Sequence, residues 1–166
     1  DRGRMPFLCN THESLDLQKK FIEALIEHRA DGLLLCPADR TTIDDLQPVF
    51  SRNLATVLIA REIEDAPLDF VGNDGRKALK MVTEHLIKLG HRRIAMIGGG
   101  QHTSVSRNRR AGFLSALESH EILLDESLVI DCETSPDGGE AAITGVINSS
   151  DPPTAVVCFT DLVALG

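Results

Sequence analysis

The run Ile94–Ile97 constrains the fold most. It is four apolar residues with a β-branched residue at each end, preceded by a helical pattern that stops at Gly90 and followed at once by Gly98-Gly99-Gly100. An uninterrupted apolar run of this length suits a strand covered on both faces, as parallel strands in α/β proteins are. Upstream, Leu79, Val82, Leu86 and Leu89 recur at steps of three and four, which predicts one apolar stripe of a helix, and Gly90 stands where a left-handed terminal residue is wanted. Downstream, a polar loop feeds an arginine-headed helix over residues 107–119, with Phe113, Leu114 and Leu117 on its apolar side. Together these pieces make a βαβ unit. Open parallel sheets bind ligands just beyond the C-terminal ends of their strands, and here that place is residues 98–107.

The rest of the chain repeats the alternation. Strands are expected at residues 6–9, 32–36, 55–60, 69–71, 128–132 and 155–159. Between them, residues 14–29 carry a helical stripe of Leu17, Phe21, Ile22, Leu25 and Ile26, and Thr41 or Thr42 with Asp44 and Asp45 opens a helix that Pro48 keeps short or kinked. Asn73 or Asp74 caps the long helix ending at Gly90. A further helix over residues 136–148 presents Ala142, Ile143, Val146 and Ile147, and Asp161 opens a last apolar one. Alternation of this kind predicts an α/β fold with parallel sheets and right-handed crossovers.

Composition narrows the function. At 166 residues with 42% apolar content, the chain can bury one core or parts of two small ones. No apolar run approaches the ~18 to 20 residues that cross a bilayer, and the charged start is a poor secretory signal, so a cytoplasmic protein with no membrane partner is expected. A net charge of −8 repels polyphosphates, so any contact with DNA requires another segment. Cys9, Cys36, Cys132 and Cys158 each sit in or beside an apolar run with no C-x-x-C pair, which reads as buried reduced thiols.

The glycines lack G-x-G-x-x-G and G-K-[ST] spacing, the histidines form no H-E-x-x-H, and no G-x-S-x-G surrounds Ser104 or Ser106 beside His102. No cofactor, no metal and no enzymatic activity are expected.

EHLIKLGHRRIAMIGG followed by SVSRNRRAGF resembles the core signature of the lactose-repressor and galactose-repressor (LacI/GalR) family of bacterial transcription regulators. FLCN, RADGLLLCPA, VLIAREI, VGND and PPTAVVCFTDLVALG follow the family's order from Pro6 to Gly166, and GRMPFL, TEHLIKLGH and CETS are similar to its maltose-regulon branch.

The resemblance implies the effector-binding domain of such a regulator. Its fold would be α/β and periplasmic-binding-protein-like, with two parallel-sheet subdomains, a ligand between them, and truncation at both ends in this chain. The N-terminal subdomain would cover residues 1–100 without its first strand and helix, with a first crossing near residues 99–104, and residues 101–166 would begin the C-terminal subdomain. Implied partners are a small-molecule effector, a sugar; operator DNA through a helix-turn-helix domain outside this chain; and a second copy in a homodimer. A periplasmic sugar-binding transport receptor would share the fold.

Site residues carry over one by one. Arg107 stands four residues before the family's Ala-Gly pair, where a sugar-contacting arginine lies, and its guanidinium offers donors in a fixed fork. A surface ion pair is the plainer role for any arginine in this run, and it is the one expected of Arg109 and Arg110. Asp161 matches the aspartate of an Asn-Asp pair whose asparagine is here Thr160, either a pocket hydroxyl or a helix cap. Arg61 is retained beside Ala60, where relatives often have aspartate. Thr134 falls in a loop that lines the family's pocket.

Overall fold

A computed structural model describes residue 3, residues 5–100 and residues 102–166. Asp1, Arg2 and Arg4 of the charged start, and Gln101 in the expected crossing, lie outside the described residues. The chain divides into two units, Asp1–Asn73 and Asp74–Gly166.

In the first unit, α1 (Leu15–Glu27) is capped by Ser14, whose hydroxyl accepts from the Leu17 amide at 3.3 Å. Its buried residues are Gln18 and Ile22, one helical turn apart. Strands β1 (Leu33–Leu35), β2 (Thr56–Ile59) and β3 (Asp69–Val71) form a parallel sheet in the order β1-β2-β3. A 3-10 turn at Asp44–Leu46 runs into α2 (Gln47–Ser51), which Pro48 opens. The expected helix start is made differently from a threonine cap, because the Asp45 carboxylate accepts from both the amide and the hydroxyl of Thr42 at 2.8 Å. Leu35 and Leu58 of the sheet meet Ile22, Leu46, Val49 and Ile63 in one apolar cluster, with Leu33 packed against it. Leu34, alternating to the other face, is exposed.

Residues 6–9 are not a strand. They pair with none of the described residues, and Phe7 and Leu8 are exposed. Apolar patterning licenses a strand, but a ladder partner is what makes one.

In the second unit, α3 (Gly75–Lys88) is capped by Asp74, whose Oδ1 accepts from the Lys77 amide at 2.9 Å, and Gly90 adopts φ +100° just past its end. The buried face is Leu79, Thr83 and Ile87, with Leu86 beside it. Val82 and Leu89, expected in the stripe, are exposed. The axis is rotated because Thr83 satisfies its own hydroxyl on the Leu79 carbonyl at 2.7 Å and can therefore be buried like a valine.

Strand β4 (Ile94–Ile97) is the centre of a parallel sheet in the order β5-β4-β6, with β5 (Val129–Ile130) and β6 (Ala155–Cys158). All four of its residues are buried. Ile94 and Met96 enter a core with Leu79, Ile87, Phe113, Ala116 and Leu117 of α3 and α4 (Ser104–Ser119), whereas Ala95 enters a second cluster with Leu128 and Val146 of α5 (Pro136–Ile147). The boundary expected near residue 100 is therefore displaced to residues 73 and 74. Apolarity alone marks β4 as a buried strand but does not say which sheet it joins; its ladders run to β5 and β6.

Strand β5 is shorter than the expected 128–132, because Glu126–Leu128 forms a 3-10 turn capped by Asp125. Ile147 of α5, expected on the apolar side, is exposed. A short α6 (Asp161–Leu165) closes the unit.

Helices α3 and α4 cross closely at Gly112, where an added Cβ would lie 2.1 Å from the Arg76 carbonyl oxygen. Gly145, on α5, has open space around it. Gly112→Ala is expected to destabilise the second unit by about 1 to 3 kcal/mol through overpacking. Gly145→Ala is expected to stabilise it by about 0.5 to 1 kcal/mol through helix propensity. Urea unfolding of the two variants against the parent checks both signs.

Candidate functional site

The C-terminal ends of the second unit's strands are drawn together by backbone bonds. The Gly98 amide donates to the Ile130 carbonyl and the Phe159 amide to the Ile97 carbonyl, each at 2.8 Å. Gly98 and Gly99 turn with φ of +96° and +71°, a region that favours glycine. Space demands glycine as well, since a Cβ on Gly99 would stand 2.3 Å from the ring of Phe159. The glycine run is thus a seat for an aromatic ring.

Above that ring sits Arg109. Its guanidinium carbon is 4.6 Å from the ring centroid, and its Nη1 donates to the Phe159 carbonyl at 2.5 Å. Stacking on an aromatic face and a carbonyl bond together fix the plane of the fork. Burial pulls the Arg109 pKa down, and the charge of Asp161 works in the opposite direction. Arginine stays charged throughout the working range. Arg109, which sequence reasoning placed among solvent or acidic neighbours, is therefore the arginine built into the strand ends. Its position on α4 and the phenylalanine before Thr160-Asp161 were the available signals, but neither says that the two side chains meet.

Arg107 lies two residues nearer the start of α4, about half a turn, where Thr103 caps the helix by accepting from the Ser106 amide at 3.1 Å. It is exposed, and its Nη1 is 3.4 Å from the His102 carbonyl. Arg110 makes the expected surface pair, with Glu126 at 3.1 Å.

Thr160 takes the capping role, its hydroxyl accepting from the Val163 amide at 3.3 Å. Asp161 follows, exposed, with Oδ1 accepting from the Leu162 amide at 3.0 Å. Thr134 is exposed in the loop before α5, where Ser135 is the cap. The second unit therefore groups Arg109, Phe159, Thr160 and Asp161, with Arg107 in the first turn of α4 and Thr134 in the loop before α5.

Arg61 belongs to the first unit. It follows Ala60, whose φ of +61° is strained for a residue with a side chain and turns the chain sharply at the end of β2. Nη1 and Nη2 of Arg61 meet Oε2 and Oε1 of Glu13 at 2.6 and 2.9 Å, and Nη1 also donates to the Pro37 carbonyl at 3.0 Å. The Arg61 bond, outweighing burial, holds the Glu13 carboxyl below its ordinary pKa. Burial works against the Arg61 charge, but Glu13 outweighs it and the Arg61 pKa rises. Beneath the pair, buried Gln18 accepts from the Ala38 amide at 2.7 Å and donates to the Thr41 hydroxyl at 3.1 Å, pinning the loop after β1. No local pattern in the sequence marks Glu13 or Gln18 for either role.

Among the described residues, no cluster of His, Cys, Asp or Glu could hold a metal, and no helix is long and apolar enough to cross a membrane.

Comparison with known proteins decides the family. A family model for periplasmic binding proteins and the sugar-binding domain of the LacI family matches residues 1–166. The chain belongs to this family. Among curated LacI-family relatives, it is 32% identical over 172 residues to the HTH-type transcriptional repressor PurR of Proteus mirabilis, covering 99% of this chain and 49% of that protein. The PurR of Haemophilus influenzae (strain PittEE) is 28% identical over 165 residues, with the same coverage of 99% and 49%. The chain thus spans about half the length of these relatives. Among solved structures, a putative ribose operon repressor from Burkholderia thailandensis superposes with a TM-score of 0.87 at 25% identity, over 98% of this chain and 60% of that one. The transcription regulator CcpA of Lactococcus lactis does so with 0.86 at 23% identity, over 96% and 58%. The periplasmic-binding-protein-like α/β fold expected of the family is the fold found.

The four cysteines are not the buried thiols expected. Cys9 and Cys36 are exposed, because the residues around them leave the strand pattern, while Cys132 and Cys158 are half-buried and burial pushes both thiols above their ordinary pKa. All four are free. Since the thiolate is the reactive form, a maleimide at neutral pH is expected to modify Cys9 and Cys36 of the folded chain rapidly and Cys132 and Cys158 only slowly. Peptide mass mapping against time checks the order, and uniform labelling of all four would contradict it.

Proposed function

We propose that this chain is the effector-sensing part of a LacI-family DNA-binding transcriptional regulator. The observation that carries the reading is the family match over residues 1–166 together with curated relatives that are repressors by name along 99% of the chain. Those names favour a regulator over a periplasmic transport receptor. The protein is not an enzyme, uses no cofactor, works in the cytoplasm and has no membrane partner. Its DNA contact is made by a helix-turn-helix domain outside this chain, in keeping with the net charge of −8. It acts as a homodimer, because paired operator half-sites are read by two-fold symmetric proteins.

The effector is a small polar molecule, a sugar. In the second unit its candidate polar contacts are Arg109 with Thr160 and Asp161, then Arg107 and Thr134; in the first unit, taken by itself, the candidate contact is Arg61. Hydroxyl groups suit this set, since the guanidinium offers donors and the aspartate acceptors. The Phe159 ring, already under Arg109, supplies apolar surface in a chain that has no tryptophan or tyrosine. Two neighbouring folds were solved with ligands, a regulator from Escherichia coli complexed with phosphate and the Cra regulator of Pseudomonas putida in complex with fructose 1-phosphate.

The effector acts through the difference in its affinity for two arrangements of the regulator, and that difference bounds the change in operator binding. Fluorescence anisotropy of the intact protein on its own promoter DNA, with and without a panel of sugars, tests this. A sugar-dependent change in affinity is expected, and absence of any DNA binding by a dimer of the intact protein would end the regulatory reading. In the same assay Arg109→Ala and Arg107→Ala are each expected to weaken effector binding by about 1.5 to 3 kcal/mol, the scale of a charge-assisted hydrogen bond. Unchanged affinity removes the residue concerned from the site.

A further inference from the structure

The bidentate pair in the first unit has a consequence for what ligand Arg61 can accept. This inference rests on the reading of Arg61 as a ligand contact. Two parallel N–H···O bonds from one guanidinium to one carboxylate, here 2.6 and 2.9 Å, are the geometry in which arginine holds any carboxylate or phosphate. Glu13 occupies that geometry from within the chain. Its grip is doubled, because Oε2 also accepts from the Asp39 amide at 2.9 Å, tying the loop after β1 to the loop after β2. The Arg61 side chain is 25% exposed and that of Glu13 57%, so the fork is sheltered while its occupant faces water. Glu13 reaches the fork from a left-handed pair, His12 and Glu13 at φ +47° and +61°, a backbone state that costs free energy and persists only where contacts hold it.

The electrostatics point the same way. An oxyanion arriving at Arg61 would either displace Glu13 from the Nη1–Nη2 edge or take the side edge beside its carboxylate, with the charge of Asp39, itself paired with Arg40 at 3.6 Å, also acting on Arg61. A neutral hydroxyl meets no such repulsion. Of the five N–H groups of a guanidinium, those bonded to Glu13 and Pro37 leave the Nε hydrogen and one on Nη2, a side edge that two hydroxyls can share and where an oxyanion would meet a guanidinium whose charge Glu13 already balances.

We propose that Glu13 is a specificity-determining residue: by neutralising the Arg61 guanidinium it disfavours ligands that would present a carboxylate, phosphate or sulfate there, and leaves the remaining donors to uncharged hydroxylated ones. Glu13 does this without touching the selected ligand.

Sulfate is the probe, titrated calorimetrically into the intact protein at constant ionic strength. The parent and Arg61→Gln are expected to bind it equally poorly. Glu13→Gln, and Glu13→Ser in case the glutamine amide oxygen stays on the fork, are expected to bind it about tenfold or more tightly, the scale of a charge-assisted pair. That gain should vanish when Arg61→Gln is added. The proposal is overturned if both Glu13 variants melt like the parent yet gain nothing, or if the gain survives without Arg61. Should the Glu13 variants fail to fold, the parent still decides: sulfate binding that Arg61→Gln abolishes shows an open fork and ends the proposal, whereas equal weak binding supports it. Loss of the regulatory reading would appear separately, as absent sugar-dependent DNA binding in the parent.

Discussion

Ile94 and Met96 point into one apolar layer and Ala95 into another, and the second unit depends on that double burial. A strand covered on both faces can expose polar backbone only at its ends, so the chain's first opportunity to meet a ligand is the turn that follows it. The glycines there are required twice over, by positive φ and by the ring of Phe159 resting against them. Seating the ring in turn gives Arg109 a surface to stack on and brings its Nη1 to the Phe159 carbonyl. A core constraint thus propagates outward to the plane of one guanidinium.

The first unit reaches a comparable result by other means. It has no glycine run at its strand ends, and order there comes from polar side chains: Gln18 buried against Ala38 and Thr41, and Glu13 spanning Arg61 and Asp39. Buried amide bonds of the Gln18 kind cost little while satisfied and much when one partner is removed, which makes the loop they hold specific in shape. Both units place arginine at strand ends, yet in different company. Arg109 lies on an apolar ring with an aspartate nearby, and Arg61 is already gripped by a carboxylate. Two arginines of the same charge therefore offer a ligand different chemistry.

Element types were largely legible because they depend on local patterning. The strands at Ile94–Ile97 and Asp69–Val71, the cap Asp74, and the glycine stop at Gly90 all followed from spacing and from the backbone groups a helix end leaves unsatisfied. Failures occurred where a partner decides. Residues 6–9 have the composition of a strand but no ladder, and Val82 and Leu89 have the spacing of a stripe on a helix whose buried face is turned toward Thr83. The boundary between the units was misplaced for the same reason, since an apolar run carries no label for the sheet it will join.

At the candidate site the division is sharper. Resemblance along the chain pointed to the start of α4 and to the β6–α6 turn, because motif spacing survives in sequence. Which arginine of Arg107, Arg109 and Arg110 reaches the strand ends was settled by the position of α4 against β6, where Arg109 lies over Phe159 while Arg110 turns to Glu126. Glu13 and Arg61 are separated by 48 positions, and nothing local links them. By itself the sequence determined the α/β alternation, the family and the buried character of β4, all of which rest on short-range pattern. Only the tertiary structure decided which charges meet, because an ion pair depends on where two distant loops are brought, and that placement is set by packing rather than by the residues' own identities.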